Sequence, residues 1–378
     1  MPNLLAQARD MIDELADEAT QCEQACQVLH ERVDKLRSAG LLNMLSPAQF
    51  QGGERSFTEQ FEITAAIAEG CMSTSWVATV GNVHNWVATQ FSSQAQAEYF
   101  ADPNVFSSAS FAPTGTATLT TGGMIADGRW GFLSGVDHAD WVFLSGLVKD
   151  SPDDRPTGPW VMMLPIEDVA IDHDSWHVTG MSGSGSKSVV VEEKFVPAHR
   201  ALFLPLLMTD QGPGRSEYSP GLFHAAAFPA LVAVLAAPIL GAAKGALKHW
   251  SEYTKARVVK NSGAAQSAQV ATQIQYAEVA AEINAAELVL AQIFQQIDRG
   301  PENPLTEEER AAVPRDTAFA VQLLVKASNT MIASAGGTAA QLSNPIQRAW
   351  RDIQVASNHA TLNWHSSAQN WGAWKLTT

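Results

Sequence analysis

The sequence is poor in charged residues and contains very little cysteine. Charged residues make up 17% of the 378 residues and hydrophobic ones 46%, which indicates a globular protein with a large buried surface. The formal net charge of -15 argues against nucleic acid as a partner, because phosphate binding needs clustered cations. The three cysteines, Cys22, Cys26 and Cys71, are odd in number and lack metal-ligand spacing. We therefore expect reduced cysteines that pack helices, in place of a disulfide framework or zinc site.

A targeting signal and an uninterrupted apolar run are also missing. The first residues lack the basic and apolar regions of a signal peptide, which predicts a cytoplasmic protein. The longest apolar run, residues 224–243, approaches the length of a membrane span. Because Pro229, Pro238 and Gly241 interrupt it, we expect a helix buried in a bundle or in an oligomer core, with no membrane partner.

Motifs for nucleotides and metals fail on inspection. Gly180 and Gly185 have the spacing of a phosphate loop, but Ser186 separates Gly185 from Lys187 and removes the required Gly-Lys pair. The residues around this segment do not form a dinucleotide-binding βαβ pattern. No His-Glu-x-x-His or Gly-x-Ser-x-Gly motif is present. The sequence thus predicts no metal site and no recognisable built-in nicotinamide site.

The order of elements predicts an α+β fold in three parts. Residues 1–105 read as helices, and Ser56 with Glu59 predicts a capping box at the start of one of them. Residues 106–215 contain short β-rich runs separated by Gly, Asp and Pro turns. Residues 216–378 return to long helices, at about 222–255, 264–299, 306–335 and 345–370.

One predicted helix face near the C-terminus combines a cation, a carboxylate and an imidazole. In a helix that starts at Pro345, Arg348, Asp352 and His359 share one face, and a Gly-Gly turn precedes it. A stripe of this kind is either a salt-bridged surface or part of a site, and its spacing alone leaves both open.

Three segments together resemble the acyl-CoA dehydrogenase superfamily. They are SASFAP followed by DGRWGFLSG at 108–135, the strand pair GMSGSGSKSVVVEEKFVPAHR at 180–200, and the Gly-Gly turn with its R-x-x-RD helix at 336–352. The resemblance covers nearly the whole chain. It implies an N-terminal helical domain, a central small β-barrel or sandwich, a C-terminal four-helix bundle and a homotetramer.

The sequence departs from a dehydrogenase where the catalytic base belongs. Removal of an α-proton from an acyl thioester needs a carboxylate, and the family places it after the R-x-x-RD helix or on an earlier helix. Here the first region reads LNWHSSAQNWGAW at 362–374, without an acid, and the apolar helix before Trp250 has none either. Acyl-CoA oxidation is therefore not expected.

With His359 in that region and SGVDHADW at 134–141, the chain resembles the flavin-dependent monooxygenase branch of the superfamily. The resemblance implies the oxygenase component of a two-component system that hydroxylates an aromatic or indolic small molecule. It uses O2 and reduced flavin (FADH2 or FMNH2) through a flavin C4a-hydroperoxide. A separate NAD(P)H-dependent flavin reductase supplies the flavin, in agreement with the missing nicotinamide site.

The resemblance also implies roles for single residues. His359 is the candidate base, because histidine titrates near neutral pH, Ser134 is the hydroxyl beside flavin N5, and Ser110 orients the substrate or flavin. The implied flavin contacts are Ser110, Phe111, Ser134, Gly135, Arg257, Gly336, Gly337 and Arg351. The implied substrate-pocket residues are Trp76, His84, Trp86 and His138.

Three other functions stay open at this point. The chain is alternatively an N- or S-oxygenating relative, an acyl-CoA dehydrogenase-like oxidoreductase, or a flavin-binding scaffold without catalysis. They differ in whether oxidised flavin is held tightly and whether reduced flavin with O2 gives a product.

Overall fold

Along the chain, a group of helices, a set of strands and a second group of helices follow one another in the computed structural model, which describes residues 3–151, 153–258, 263 and 265–377. The first group of helices is α1 Leu4–Asp10, α2 Ile12–Ala25, α3 His30–Ser38, α4 Phe57–Gly70, α5 Met72–Ala88 and α6 Ser93–Tyr99. The strands are β1 Ser107–Thr120, β2 Gly123–Leu133, β3 Trp141–Lys149, β4 Gly158–Pro165, β5 Ala170–Asp172, β6 Lys187–Pro197 and β7 Ala201–Phe203. The second group of helices is α7 Leu204–Met208, α8 Ala227–Ala233, α9 Ala236–Ala256, α10 Val270–Ile297, α11 Glu307–Ala335, α12 Pro345–Ala356 and α13 Trp364–Thr377. The α+β class predicted from the sequence is confirmed.

The seven strands form one mixed sheet in the order β5-β6-β2-β1-β3-β4-β7. Only the pair β1 and β3 is parallel among the pairings of the described strands. The register of that pair shifts between Ser110 and Gly115, and an added Cβ at Gly115 would lie 1.9 Å from the Trp130 ring. Trp130 thus requires glycine at the irregularity, and a shift of this kind redirects the neighbouring side chains. Ser110 is the last residue paired before it.

Helix α5 is buried along its whole length. All 17 of its residues are buried. The preceding helix α4 starts with the capping box of Ser56 and Glu59, as predicted, and Asp298 accepts hydrogen bonds from the backbone N–H groups of Phe57 and Thr58. These caps fix the start of α4 against the end of α10 and so join the first group of helices to the second.

The apolar run of the sequence forms α8 and α9 in the middle of the second group of helices. Residues Ala227–Ala256 are long and apolar enough to cross a membrane, yet 83% of their most apolar window is buried inside the fold. Cβ atoms added at Gly241 and Gly245 would lie 2.0 Å from the Ala65 carbonyl oxygen and 2.4 Å from that of Glu69. Two glycines therefore let α9 pack against α4 at backbone distance, as a core helix.

The last predicted helix is wrong in its extent. It was expected to continue from residue 345 to about 370, but α12 ends at Ala356 and α13 begins at Trp364. The imidazole of His359 accepts a hydrogen bond from the Thr361 backbone N–H and opens a short 3-10 turn, which competes with the helix. Arg348 and Asp352 lie on α12, whereas His359 leaves the predicted stripe and stands in the connecting loop.

The cysteines are reduced in this structure. All three are free thiols, with Cys22 and Cys71 buried and Cys26 partly so. Cys22 lies on α2, and Cys71 directly precedes α5. They are helix-packing residues, as expected.

Candidate functional site

Ser134 is the centre of the predicted site. It follows the last residue of β2, and its side chain is only 9% exposed. Its hydroxyl accepts a hydrogen bond from the indole Nε1 of Trp76 at 3.0 Å and lies 2.8 Å from the hydroxyl of Ser186. Its carbonyl accepts a hydrogen bond of 2.8 Å from the Ser108 hydroxyl on β1. Helix α5, strand β1 and the loop before β6 thus fix Ser134 in position.

Gly135 can be replaced by no larger residue without a rearrangement. It has φ +72°, and an added Cβ would lie 2.9 Å from Val77 Cγ1 on α5. Its N–H donates to the Ser184 carbonyl at 2.8 Å. The glycine therefore brings the end of β2, α5 and the loop before β6 together beside Ser134.

His359 meets the Ser134 group through Trp76. The rings of Trp76 and His359 are 6.2 Å apart between centroids and inclined by 59°. The His359 side chain lies at the surface, but the atoms around its ring still lower its pKa below the ordinary value by desolvation. The imidazole is therefore neutral at pH 7. Ser134, Trp76 and His359, predicted from three distant parts of the sequence, are neighbours.

His84 lies on α5 against the first half of β1. Its Nδ1 is 2.9 Å from the Ser107 carbonyl oxygen, and its ring stands edge-on to Phe111 with 6.1 Å between centroids. Because a carbonyl only accepts, Nδ1 carries the proton and Nε2 is the free acceptor. Burial lowers the pKa of His84 to about 4, so this tautomer holds at neutral pH.

Ser110 and Phe111 lie on the same stretch of β1, at the shift in register. Ser110 is 9% exposed, and its hydroxyl makes no hydrogen bond to any residue that the structure describes. Phe111 is half-buried and contacts His84. A nearly buried hydroxyl without a partner is available to a ligand.

Arg257 and Gly336 form a second group at the end of the helices. The guanidinium donates to the Ala335 carbonyl at 3.3 Å, and a Cβ added at Gly336 would lie 3.1 Å from both terminal nitrogens. Gly336 has φ +76°, and open space surrounds the position of a Cβ at Gly337. Among the described residues no carboxylate lies within 4 Å of the Arg257 guanidinium. A guanidinium that has no carboxylate partner among these residues and lies beside two glycines suits a phosphate.

Arg351 has its contacts inside the fold. It pairs with Glu23 and donates to Gln347 at 2.8 Å and to the Thr179 carbonyl. Arg348 pairs with the same Glu23 at 3.3 Å. These contacts brace α12 against α2, and a flavin contact from Arg351 stays a prediction.

Trp86 and His138 lie apart from the Ser134 group. Trp86 is fully buried, donates to the Leu222 carbonyl at 2.9 Å and packs edge-on against Phe57. His138 is 2.9 Å from the Val28 carbonyl oxygen through Nε2 and stands edge-on to His30. Their contacts are those of core residues and give no support to a role in a substrate pocket.

Three residues that the sequence did not single out belong to the site. Ser184 and Ser186 continue the hydrogen bonds of Ser134, with 2.8 Å between their hydroxyl oxygens. Phe132 has φ +64° and is 77% exposed, two residues before Ser134, with its ring 6.0 Å from that of Trp176. Serines in a Gly-Ser run read as a loop, and an aromatic residue in a strand reads as core, so neither pattern gave a signal. Only the fold shows a free aromatic face at this point.

A cavity of about 350 Å³ lies behind the loop before β6. Its lining includes Cys71, Arg348, Asp352 and His249, and it reaches Met72 and Ser182. None of the predicted catalytic or pocket residues lines it. This cavity therefore gives no support to the roles predicted for those residues, which stay predictions.

Known proteins resemble the chain over nearly its whole length. Residues 3–104 match the family model of the acyl-CoA dehydrogenase N-terminal domain, and residues 233–364 match that of the C-terminal domain. The FADH(2)-dependent resorcinol hydroxylase, oxygenase component, of Rhizobium sp. (strain MTP-10005) is 31% identical over 373 residues, covering 96% of this chain and 91% of that protein.

Solved structures agree with this assignment. The HsaA monooxygenase from M. tuberculosis superposes with a TM-score of 0.92 at 28% identity, covering 99% of this chain and 97% of that one. XiaF from Streptomyces sp., in complex with FADH2 and glycerol, superposes with a TM-score of 0.91 at 28% identity, covering 99% of this chain and 95% of that one.

Proposed function

The chain belongs to the acyl-CoA dehydrogenase superfamily, in its branch of flavin-dependent oxygenase components, and we propose that it hydroxylates an aromatic or indolic small molecule with reduced flavin and O2. The observation that carries this proposal is the meeting of Ser134, Trp76 and His359, with His84 on the same helix as Trp76 and packed against the strand that holds Ser110. Hydroxyl, indole and imidazole groups are thus available, and both histidines are neutral at pH 7.

The residues present fit a flavin. Ser110 offers an unused hydroxyl, and Phe132 offers an exposed aromatic ring two residues before Ser134. Ser110, Phe111, Ser134 and Gly135 would hold the ring system, and Arg257 with Gly336 and Gly337 would hold the phosphates. Reduced flavin, when bound, supplies the two electrons that activate O2 for transfer of one oxygen atom to the substrate.

His84 is suited to hold the substrate's hydroxyl or ring N–H. Its bare Nε2 accepts a hydrogen bond, which raises the electron density of the aromatic ring toward an electrophilic oxygen. Its low pKa keeps it unprotonated throughout the neutral range. We assign it to binding and polarising the substrate.

His359 is the proposed base. For Nε2 to accept a proton, Nδ1 must carry one and donate it, and the Thr361 hydroxyl lies 2.9 Å from Nδ1 to receive it. In the other tautomer Nδ1 accepts from the Thr361 N–H, at 3.4 Å, and Nε2 carries the proton. Thr361 is thus the partner for both states, and the exposed ring can exchange its proton with solvent.

The missing acid separates this function from acyl-CoA dehydrogenation. Residues 357–378, which contain the loop of His359 and all of α13, include no Asp or Glu. Helices α8 and α9 have none up to Trp250. A carboxylate base for an α-proton is absent from both places where the fold would offer one, which favours oxygenation.

A separate flavin reductase, a homotetramer and a cytoplasmic location complete the proposal. Apolar side chains that α10 exposes, among them Val270, Ile274 and Leu288, support burial between subunits. Light scattering of the purified protein measures the assembly directly.

The experiment for the proposed function uses the purified chain with a generic flavin reductase, NADH and O2. Simple phenols, resorcinol and indole are offered in parallel, and products are separated by chromatography. We expect a hydroxylated product from at least one aromatic class. Consumption of NADH with H2O2 as the only product from every substrate, or failure to bind reduced flavin, would contradict the proposal.

A further inference from the structure

A chain of three serine hydroxyls leads away from Ser134 into the protein. Ser134 Oγ is 2.8 Å from Ser186 Oγ, which is 2.8 Å from Ser184 Oγ, which donates to the Met181 carbonyl at 2.7 Å. Ser186 is 5% and Ser184 1% exposed, so water does not compete for these bonds. Trp76 Nε1 closes the other end of the chain at Ser134.

The two ends of this chain fix the direction of every hydrogen bond in it. Because a carbonyl oxygen only accepts hydrogen bonds, Ser184 donates its single hydroxyl proton to the Met181 carbonyl. Ser184 must then accept a hydrogen bond from Ser186. Ser186 then has no proton left and must accept from Ser134. An indole N–H only donates, so Ser134 accepts from Trp76 and donates to Ser186.

Ser134 is therefore left with one free lone pair and no free proton. A ligand group that faces this hydroxyl can donate a hydrogen bond to it but cannot accept one from it. Reduced flavin carries a proton at N5 and donates there, whereas oxidised flavin has a bare N5 that only accepts. Reduced flavin therefore matches the Ser134 acceptor. Oxidised flavin would have its N5 without a hydrogen-bond donor.

We propose that Ser184 and Ser186 are positioning residues that make the site select reduced over oxidised flavin, by holding the Ser134 hydroxyl as a hydrogen-bond acceptor. This inference deepens the proposed function and rests on it, because it takes Ser134 to face flavin N5. The selectivity lets an oxygenase without a reductase domain bind the flavin that its partner delivers and release it after oxidation.

The test is the ratio of two dissociation constants, for oxidised FAD and for FADH2 measured without oxygen. In Ser186→Ala the Ser134 proton becomes free to donate to oxidised N5, so we expect the preference for FADH2 to fall about 3- to 10-fold. Ser184→Ala should shift the ratio in the same direction by a smaller factor, and serves if Ser186→Ala does not fold. Ser186→Thr retains the hydroxyl and should restore the wild-type ratio.

Ser145→Ala is the matched control. Ser145 is a fully buried serine on β3 whose hydroxyl has no hydrogen-bond partner among the residues that the structure describes, so its removal tests the loss of a buried hydroxyl alone. The inference is overturned if Ser186→Ala binds FADH2 and keeps the wild-type ratio, or if Ser145→Ala changes the ratio equally. Wild-type protein that binds neither FADH2 nor FMNH2 overturns the proposed function itself, which is a different result.

Discussion

Two of the proposed site residues are neutral histidines, and their surroundings suit them to different tasks. His84 is buried with Nδ1 bound to a backbone carbonyl, so its tautomer is fixed. His359 is exposed and has the Thr361 hydroxyl and N–H as alternative partners, so its tautomer can change. A base must gain and lose a proton in each turnover, and the second environment suits that task.

Replacement of His359 should separate oxygen activation from oxygen transfer. We expect His359→Ala to bind FADH2 with wild-type affinity but to divert most of the consumed O2 to H2O2, with about 10²-fold less hydroxylated product. Product and H2O2 are quantified in the same reaction. Thr361→Val, which removes only the hydroxyl partner of Nδ1, should show a smaller loss, and undiminished coupling in both variants would remove His359 from the mechanism.

Replacement of His84 should change the pH dependence of stability. Its folded pKa of about 4 is below the ordinary histidine value, so the unfolded chain binds the extra proton between about pH 6.5 and 4. Stability is therefore full above pH 6.5 and falls as the pH decreases, by about 3 kcal/mol for this residue. We expect His84→Gln to show a shallower fall in urea unfolding from pH 7 to 4.5, and an unchanged slope would contradict the assignment. His138→Gln is the matched comparison, because burial lowers the pKa of His138 to about 4 as well.

At the scale of elements, α12 is docked on the loop before β6 through one carboxylate. Asp352 is 6% exposed and accepts a hydrogen bond from the Met181 N–H, and a Cβ added at Gly180 would lie 2.3 Å from the Arg351 carbonyl oxygen. Met181 is also the residue whose carbonyl ends the serine chain. The loop thus joins α12 to Ser134.

Asp352→Asn should reveal the free-energy cost of burying this carboxylate in its charged form. Burial raises the pKa of Asp352 to about 7, so the folded state binds a proton that the unfolded state lacks between about pH 4 and 7. Its contribution is full below pH 4 and is lost as the pH rises to 7, at most about 1.4 kcal/mol per pH unit. The asparagine keeps an acceptor for Met181 and carries no charge, so we expect its stability relative to wild type to rise from pH 4.5 to 7.5.

Asp352→Ala provides the control for that comparison, because it leaves the Met181 N–H without a partner. It should be less stable than Asp352→Asn at every pH by about 1–3 kcal/mol. A constant difference between wild type and Asp352→Asn across the pH range would show that the carboxyl does not titrate in the folded protein.

The sequence predicted the elements better than their junctions. The capping box at Ser56 and the β-rich region were readable, because both depend on local residue types. The end of α12 could not be predicted, because it depends on a hydrogen bond from the Thr361 N–H to the His359 ring. The spacing of residue types does not encode that bond. The site residues of the resemblance could be named, but the serine chain could not, since it depends on a loop that contacts α2, α5 and α12 at once.

At the scale of the whole molecule, the proposed ring site around Ser134 and the proposed phosphate site at Arg257 are built by separate parts of the chain. Ser134 lies at the end of β2, whereas Arg257 follows α9 and contacts the turn after α11. A dinucleotide or a mononucleotide would need both groups, and a flavin without a phosphate would need only the first.

Arg257→Met should therefore weaken phosphorylated flavins selectively. We expect about tenfold or greater loss of affinity for FADH2, with reduced riboflavin unaffected, because a charge-assisted bond to phosphate contributes about 1.5–3 kcal/mol. Arg257→Lys should lose less, since it keeps the charge without the planar fork. Equal loss for riboflavin would show that Arg257 only supports the fold.

The most direct measurement of the central claim uses isotopically labelled dioxygen. The protein is supplied with reduced flavin, a hydroxylatable phenol or indole and labelled O2. The mass of the product is then measured by mass spectrometry. A monooxygenase built around Ser134 and His359 should place one labelled oxygen atom in each product molecule, and label should be absent when the water alone is labelled. A product without label from O2, or release of all the labelled oxygen as peroxide, would contradict the account.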